Sequence, residues 1–226
     1  MIEIENYRQE NCLQCERKGV KYGKSSKGIQ RLHCKSCHKT WQISYVYKAY
    51  SPKVNGFIIR FIKEGCGIRG IAGLLRISTT TLLNRIRSIA QKIQQPILTS
   101  NKIYEVDELC TYVGRRENRI WIACALERES KKVVRFYVGK RTNKTIRKVI
   151  DDLLISNPRQ IITDKLVNYQ YLILKEIHRT FSKGIQNLER MNLNLRTHLK
   201  RLNKRTIAFS KEITILKAVT RIYLWA

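Results

Sequence analysis

Apolar residues change their rhythm twice along this chain, and each change marks a block. Up to about residue 50 no regular period is present. Gly19, Gly23 and Gly28 punctuate a turn-rich stretch suited to a small ribbon. From residue 51 to about 95 the spacing is helical. Phe57 to Lys63 has one apolar face and stops at Gly65, and Ile68 to Leu75 is a second short helix. Arg76, Ile77 and Ser78 make a turn, with Ser78 placed to cap a third helix. That helix carries Leu82, Ile86, Ile89 and Ile93 on one stripe and Thr79, Thr80, Asn84 and Arg87 on the opposite face. The order helix, turn, helix matches a helix-turn-helix, whose last helix enters the DNA major groove.

After Pro96 and a polar link at 99–102, the period becomes that of strands. Three are expected: Ile103 to Val113, Ile120 to Leu126 and Val133 to Val138, with Gly114 and the charged residues 115–119 connecting the first two. The continuous apolar run from Ile120 to Leu126 predicts a central strand buried on both faces. Ile146, Val149, Ile150, Leu153 and Leu154 form one face of a helix, which Asn157 and Pro158 end. Gln160 to Thr163 is a fourth strand, with Asp164 at its end. A short helix around Tyr169 to Leu174, a strand near His178 to Ser182 and a long helix from about Gly184 complete the chain. Three antiparallel strands, a helix, a strand and further helices is the order of the ribonuclease H-like fold. The predicted class is therefore α+β and multidomain: a ribbon at 1–50, a helix-turn-helix at 51–98 and a ribonuclease H-like α/β domain at 99–226.

Composition narrows the partners. With 226 residues and 43% apolar content, the chain can bury a sizeable core. A net charge of +28, carried by both halves, predicts a polyanionic partner, nucleic acid above all. No apolar run approaches the roughly 20 residues of a spanning helix. Residues 1–10 are polar and acidic, unlike a secretory leader. The expected location is cytoplasmic and nucleoid-associated, with no membrane partner.

Seven cysteines, an odd number, argue against a disulfide framework. Cys12 and Cys15, and Cys34 and Cys37, form two C-x2-C pairs. Two such knuckles aim four thiolates at one point, which suits a structural Zn2+ with no open coordination position. Cys66, Cys110 and Cys124 stand in apolar surroundings and are expected in the core.

Three acids are candidates for chemistry. Asp107 lies inside a strand, where aspartate is disfavoured. Asp164 lies at the end of a buried strand. Glu189 lies on the late helix, with Asn192 and Arg196 following at i+3 and i+7 on the same face. Converging carboxylates repel one another unless cations hold them, and an oxygen donor set suits two Mg2+ ions, or Mn2+. Glu105 shares a strand face with Asp107, so spacing alone cannot rank the two. Glu108 points the other way. His178 and His198 are further candidates as helpers.

At these residues the chain resembles the DDE transposases of the insertion-sequence-one family. The segments 105–114 around Asp107, 161–169 around Asp164 and 188–211 after Glu189 are similar to that family's three acidic motifs, and the ribbon and helix-turn-helix also fit. Met191 stands where the family often has histidine. The resemblance implies that Asp107, Asp164 and Glu189 are the catalytic, Mg2+-binding triad and that Glu105 is not. It puts Arg196 on DNA near the scissile phosphate. It implies a transposase that binds the terminal inverted repeats of its element and cleaves and joins double-stranded DNA, working on target DNA as at least a homodimer. Thr79, Thr80, Asn84 and Arg87 would read the repeats, and Arg190, Asn192, Arg196, Lys200, Arg201, Lys204 and Arg205 would line the DNA path. A DNA-binding regulator without catalysis, or a ribonuclease H-like nuclease that cuts without joining, are the competing expectations.

Overall fold

The structure is a computed structural model that describes residues 8–44, 49, 51, 53–180 and 185–226. It is a mixed α+β chain with two sheets and, among the described residues, six α-helices. The chain divides into two compact units, 1–58 with 68–83, and 59–67 with 84–226.

The first unit holds a three-stranded antiparallel sheet in the order β1-β2-β3, from Val20–Lys24, Gln30–His33 and Thr40–Gln42. Its strands are short and mostly solvated. Leu32 is the strand residue buried deeply, and it pairs across the sheet with Trp41. Along the chain three helices follow, α1 (Lys53–Lys63), α2 (Ile68–Leu75) and α3 (Thr79–Lys92), and residues 59–63 of α1 and 84–92 of α3 belong to the second unit. The first begins four residues before the expected Phe57. Ser78 does cap α3, because its Oγ accepts the backbone N–H of Thr81 at 3.1 Å. The turn before it passes through Arg76 at φ +52°, while Ile77 is buried.

The second unit is built on a five-stranded sheet in the order β6-β5-β4-β7-β8: Lys132–Gly139, Arg115–Glu127, Ile103–Val113, Gln160–Thr163 and His178–Thr180. β4, β5 and β6 are antiparallel, and β7 and β8 run parallel to β4. Helix α4 (Asn143–Ile155) makes the crossover from β6 to β7. It buries Ile146, Val149, Ile150 and Leu153 against Tyr104, Val106, Ala123 and Ala125 of the sheet. Strict alternation along β4 sends Tyr104 and Val106 to that core and Glu105, Asp107 and Leu109 to the other face.

Several expectations need correcting. Residues 115–119, expected as the hairpin connection, belong to β5, and only Gly114 turns the chain, at φ +76°. Their exposure explains the difference, since backbone pairing continues beyond the edge of the core where polar side chains are free to sit. The segment expected as a short helix from Tyr169 is a 3-10 turn at Val167–Tyr171. The late helix α5 (Gln186–His198) ends at Leu199, and a further helix, α6 (Ile213–Trp225), follows. The predicted end of β8 at 181–182 and start of α5 at 184 lie outside the described residues. Cys66 and Cys110 are half-buried rather than in the core, whereas Cys124 is buried.

Candidate metal and active sites

The four sulfurs of Cys12, Cys15, Cys34 and Cys37 lie within 4.8 Å of one another. Sulfurs arranged around a tetrahedral zinc lie about 3.8 Å apart, from a Zn–S distance of about 2.3 Å. The two knuckles are built alike. The N–H of Cys12 donates to Arg17 O at 2.9 Å and that of Cys34 to Lys39 O at 2.8 Å. The residues four after these cysteines, Glu16 and His38, take φ of +56° and +57°. Such a turn aims backbone N–H groups at the leading sulfur. Those of Cys37 and Ser36 hold the Cys34 thiol down to about 6, and those of Gln14 and Cys15 lower Cys12. Cys15 is pushed up to about 12, first by its hydrogen bond with Cys37 and then by burial. Two sulfurs that favour the thiolate, gathered within 4.8 Å of the other two, fit a metal ion well.

The carboxylate site draws on three elements. Parallel pairing aligns Glu105 with Ile162 and Val106 with Thr163. Asp107 and Asp164 are the next residues on these two neighbouring chains, which lie about 4.8 Å apart in a sheet. Asp164 Oδ1 accepts the N–H of Leu166 at 3.0 Å, so the turn after β7 fixes this side chain. Asp107 is half-buried. Burial first, then the charges of Glu108, Asp164 and Glu189, push its carboxyl up to about 6. The charge of Glu189, exposed on the first turn of α5, therefore reaches Asp107. Asn192, one turn further, donates from Nδ2 to Asp107 Oδ2 at 3.0 Å, and its own Oδ1 is buried without a hydrogen-bond partner among the described residues. Behind Asp107, burial and then the Asp107 charge raise the Cys124 thiol, which stays protonated and inert. The three carboxylates are spread more widely than the sulfurs. Among the described residues, only the four cysteines form a group of three or more His, Cys, Asp or Glu ligand atoms all within 4.8 Å of one another. Oxygen donors whose charges converge on Asp107 fit hard divalent cations.

The neighbouring acids have structural partners. Glu105 is buried and accepts from Asn187 Nδ2 at 2.8 Å and from Leu188 N at 3.0 Å. Glu108, on the opposite face, accepts from Tyr169 Oη at 2.5 Å and from Arg141 Nη2 at 3.1 Å. The histidines are also engaged: His178 Nε2 meets Thr163 Oγ1 at 2.8 Å and His198 Nδ1 meets Tyr223 Oη at 2.6 Å.

The expected DNA-contacting residues fall into two sets. Arg190, Lys200, Lys204 and Arg205 are exposed, and Arg196 is half-buried with its Nε unpartnered. Arg201 is only 9% exposed and donates to Ser210 Oγ at 3.1 Å, and Asn192 is buried against Asp107, so neither lines an open path. On α3, Thr79, Thr80 and Asn84 are exposed. The Arg87 guanidinium is engaged with Asn84 Oδ1 at 3.0 Å and Glu212 Oε2 at 2.8 Å. Sequence reasoning offers no partner for Asn187 or Tyr169, because their contacts join segments 61 or more residues apart. Among the described residues, no helix is long and apolar enough to cross a membrane.

The family model described as IS1 transposase matches residues 102–225. The insertion element iso-IS1n protein InsB of Shigella dysenteriae is 32% identical over 117 residues, covering 52% of this chain and 89% of that protein. The insertion element IS1 protein InsB of Shigella flexneri is 32% identical over 120 residues, covering 53% and 92% respectively. Among solved structures, the HTLV-2 integrase catalytic core domain in complex with magnesium has a TM-score of 0.37 at 18% identity, over 55% of this chain and 86% of that one. The two relatives thus match only about half of this chain, and residues 1–101 lie outside the family match.

Proposed function

Because the chain belongs to the IS1 transposase family, we propose that it cuts and joins DNA with Asp107, Asp164 and Glu189 as its catalytic carboxylates. One observation carries this reading. Asp107 and Asp164 end up side by side on parallel neighbours, and the charge of Glu189, from a separate helix, reaches the same half-buried carboxyl. The sheet order β6-β5-β4-β7-β8, with β4 central and β7 parallel to it, supports a ribonuclease H-like domain from about residue 99.

Asp107, Asp164 and Glu189 would hold two Mg2+ or Mn2+ ions. Such ions supply positive charge to the attacking and leaving oxygens of an in-line displacement at phosphorus. The chain's own residues do the rest. Asn192 orients the Asp107 carboxylate, and the Leu166 N–H orients that of Asp164. Arg196, two turns after Glu189, would meet a phosphate, and Arg190, Lys200, Lys204 and Arg205 would extend the positive track, so binding should weaken steeply with salt. The reaction is hydrolysis at an element end, freeing a 3'-hydroxyl, and then attack of that hydroxyl on a target phosphodiester with departure of the target 3'-oxygen.

Residues 1–50 would form a zinc ribbon closed by Cys12, Cys15, Cys34 and Cys37, and 51–98 a helix-turn-helix presenting Thr79, Thr80 and Asn84 to the terminal inverted repeats. Joining two ends requires at least a dimer. The test is a strand-transfer assay with labelled element ends, target plasmid and Mg2+. Joined product is expected from the wild type and none from Glu189→Gln. Cleavage without joining would instead indicate a nuclease, and binding without either a regulator.

A further inference from the structure

The face of β4 that carries Asp107 also grips α5 at two points. At the first, Glu105 is fully buried at 0% exposure, and its two carboxylate oxygens accept from Asn187 Nδ2 and from the Leu188 N–H. Arg128 Nε lies 3.7 Å away. A carboxylate held out of water persists only where hydrogen bonds and charge offset its lost hydration. Here they do, and the helix gains a cap that its own sequence lacks. Ile185, at the N-cap of α5, makes no side-chain cap hydrogen bond. The first-turn N–H of Leu188 is satisfied instead by an anion 83 residues earlier in the chain. At the second point, Asn192 Nδ2 donates to Asp107. The amide cannot flip, since that would set its oxygen against a carboxylate oxygen.

The two points have matching spacings. Glu105 and Asp107 are successive same-face residues, about 6.7 Å apart along a strand. Leu188 and Asn192 are four residues apart, about 6 Å along a helix axis. Both contacts are therefore made together in this register, and a slip of one helical turn, about 5.4 Å, would break both. Glu189 directly follows Leu188. We propose that Glu105 and Asn192 are positioning residues, a two-point clamp that sets the register of α5 on β4 and so holds Glu189 against Asp107. Glu105, an acid the chemistry does not use, thus acts through Glu189. The proposal rests on the reading of Asp107, Asp164 and Glu189 as cation ligands.

The test uses the full chain, with Mn2+ as the probe for the carboxylate site. Glu105→Gln should lower Mn2+ affinity, measured by titration calorimetry, and single-turnover cleavage by about 10- to 100-fold. In that variant the new amide oxygen still faces the Leu188 N–H, but its NH2 opposes the NH2 of Asn187. Adding Asn187→Asp restores a donor facing an acceptor, so the double variant should regain most of the lost affinity and rate. A residue that merely fills space would show no such rescue. Unchanged Mn2+ affinity in Glu105→Gln, or a double variant no better than the single one, overturns the clamp. Should Glu105→Gln fail to fold, Asn187→Ala removes one donor only. It should weaken Mn2+ binding in the same direction, and full affinity there overturns the clamp as well. Glu189→Gln separates the two readings. If it binds Mn2+ like the wild type, the site assignment falls. If it loses Mn2+ while Glu105→Gln does not, the clamp alone falls.

Discussion

The four-cysteine cluster and the three-carboxylate site solve opposite problems. Each half of the cysteine cluster is written in consecutive residues. From Cys12 to Arg17 and from Cys34 to Lys39, the same backbone bonds and the same left-handed turn recur. Each knuckle can form by itself, and a metal ion bound by all four sulfurs would join the two. The carboxylate site has no local part. Asp107, Asp164 and Glu189 come from two strands and a helix, and only β4–β7 pairing and the docking of α5 bring them together. On the proposed reading, one site would organise its fold, and the other would be a product of its fold. Damage to them should therefore propagate in opposite directions.

The largest effects on chemistry, with the least on structure, are expected at the carboxylates. Asp107→Asn, Asp164→Asn and Glu189→Gln should each lower strand cleavage on the order of 10²- to 10³-fold or more, as expected when the cations that stabilise transition-state charge lose a ligand. Relief of mutual repulsion leaves the apo fold as stable as before, or more so. Parallel cleavage rates and thermal melts check this, and a variant that loses activity only by melting would erase the contrast.

At the cysteines the expectation reverses. Structural zinc sites contribute on the order of 10 kcal/mol to folding. Removing the metal with a chelator, or Cys34→Ser, should unfold β1 to β3 and leave β4 to β8 intact. Amide hydrogen exchange distinguishes the two: protection is lost at Leu32 and Trp41 and kept at Ala123 and Ala125. Loss of protection in both regions would show that the ribbon also supports the larger sheet.

The same contrast governs what can be read from the sequence. The cysteine pairs, the Ser78 cap and the extent of β4 are all legible, because spacing and alternation are local signals. The acids are legible as residue types in unusual places, but period alone leaves Glu105 level with Asp107. Burial separates them. Glu105 is enclosed by Asn187, Leu188 and Arg128, whereas Asp107 is only half-buried and feels the charges of Asp164 and Glu189. Nothing within ten residues of Glu105 announces those partners. Helix α6 is harder to separate from α5, although Ile215, Leu216, Val219 and Ile222 form one buried stripe. The basic residues before it blur where α5 ends. Charge alone makes Arg201 a DNA contact, and only its packing against Ser210 shows it turned inward.

A third test concerns a backbone contact that no side-chain pattern reveals. Gly65 sits at φ +76°, and a Cβ there would lie 2.4 Å from the carbonyl oxygen of His198. Gly65→Ala should cost roughly 1–2 kcal/mol for the left-handed conformation alone, with the clash adding to it. Gly70 is the control. It is exposed within α2, with open space where a methyl group would sit, so Gly70→Ala should stabilise by about 0.5–1 kcal/mol. Denaturant melts of the two variants should move in opposite directions.

The smallest expected effect concerns Arg87. Its ion pair with Glu212 leaves the two side chains 37% and 57% exposed, and exposed pairs contribute about 0–1 kcal/mol. Glu212→Gln should therefore change stability by less than about 1 kcal/mol. Its effect on DNA binding should be clearer, because it removes the anion that competes with phosphate for Arg87. If Arg87 serves the DNA track, Glu212→Gln tightens binding at low salt, and Arg87→Ala reduces the slope of log affinity against log salt by about 1. If neither variant changes affinity or slope, Arg87 is a packing residue of α3 like Ile86 beside it. The contacts with DNA would then lie with Thr79, Thr80 and the basic residues that follow Glu189.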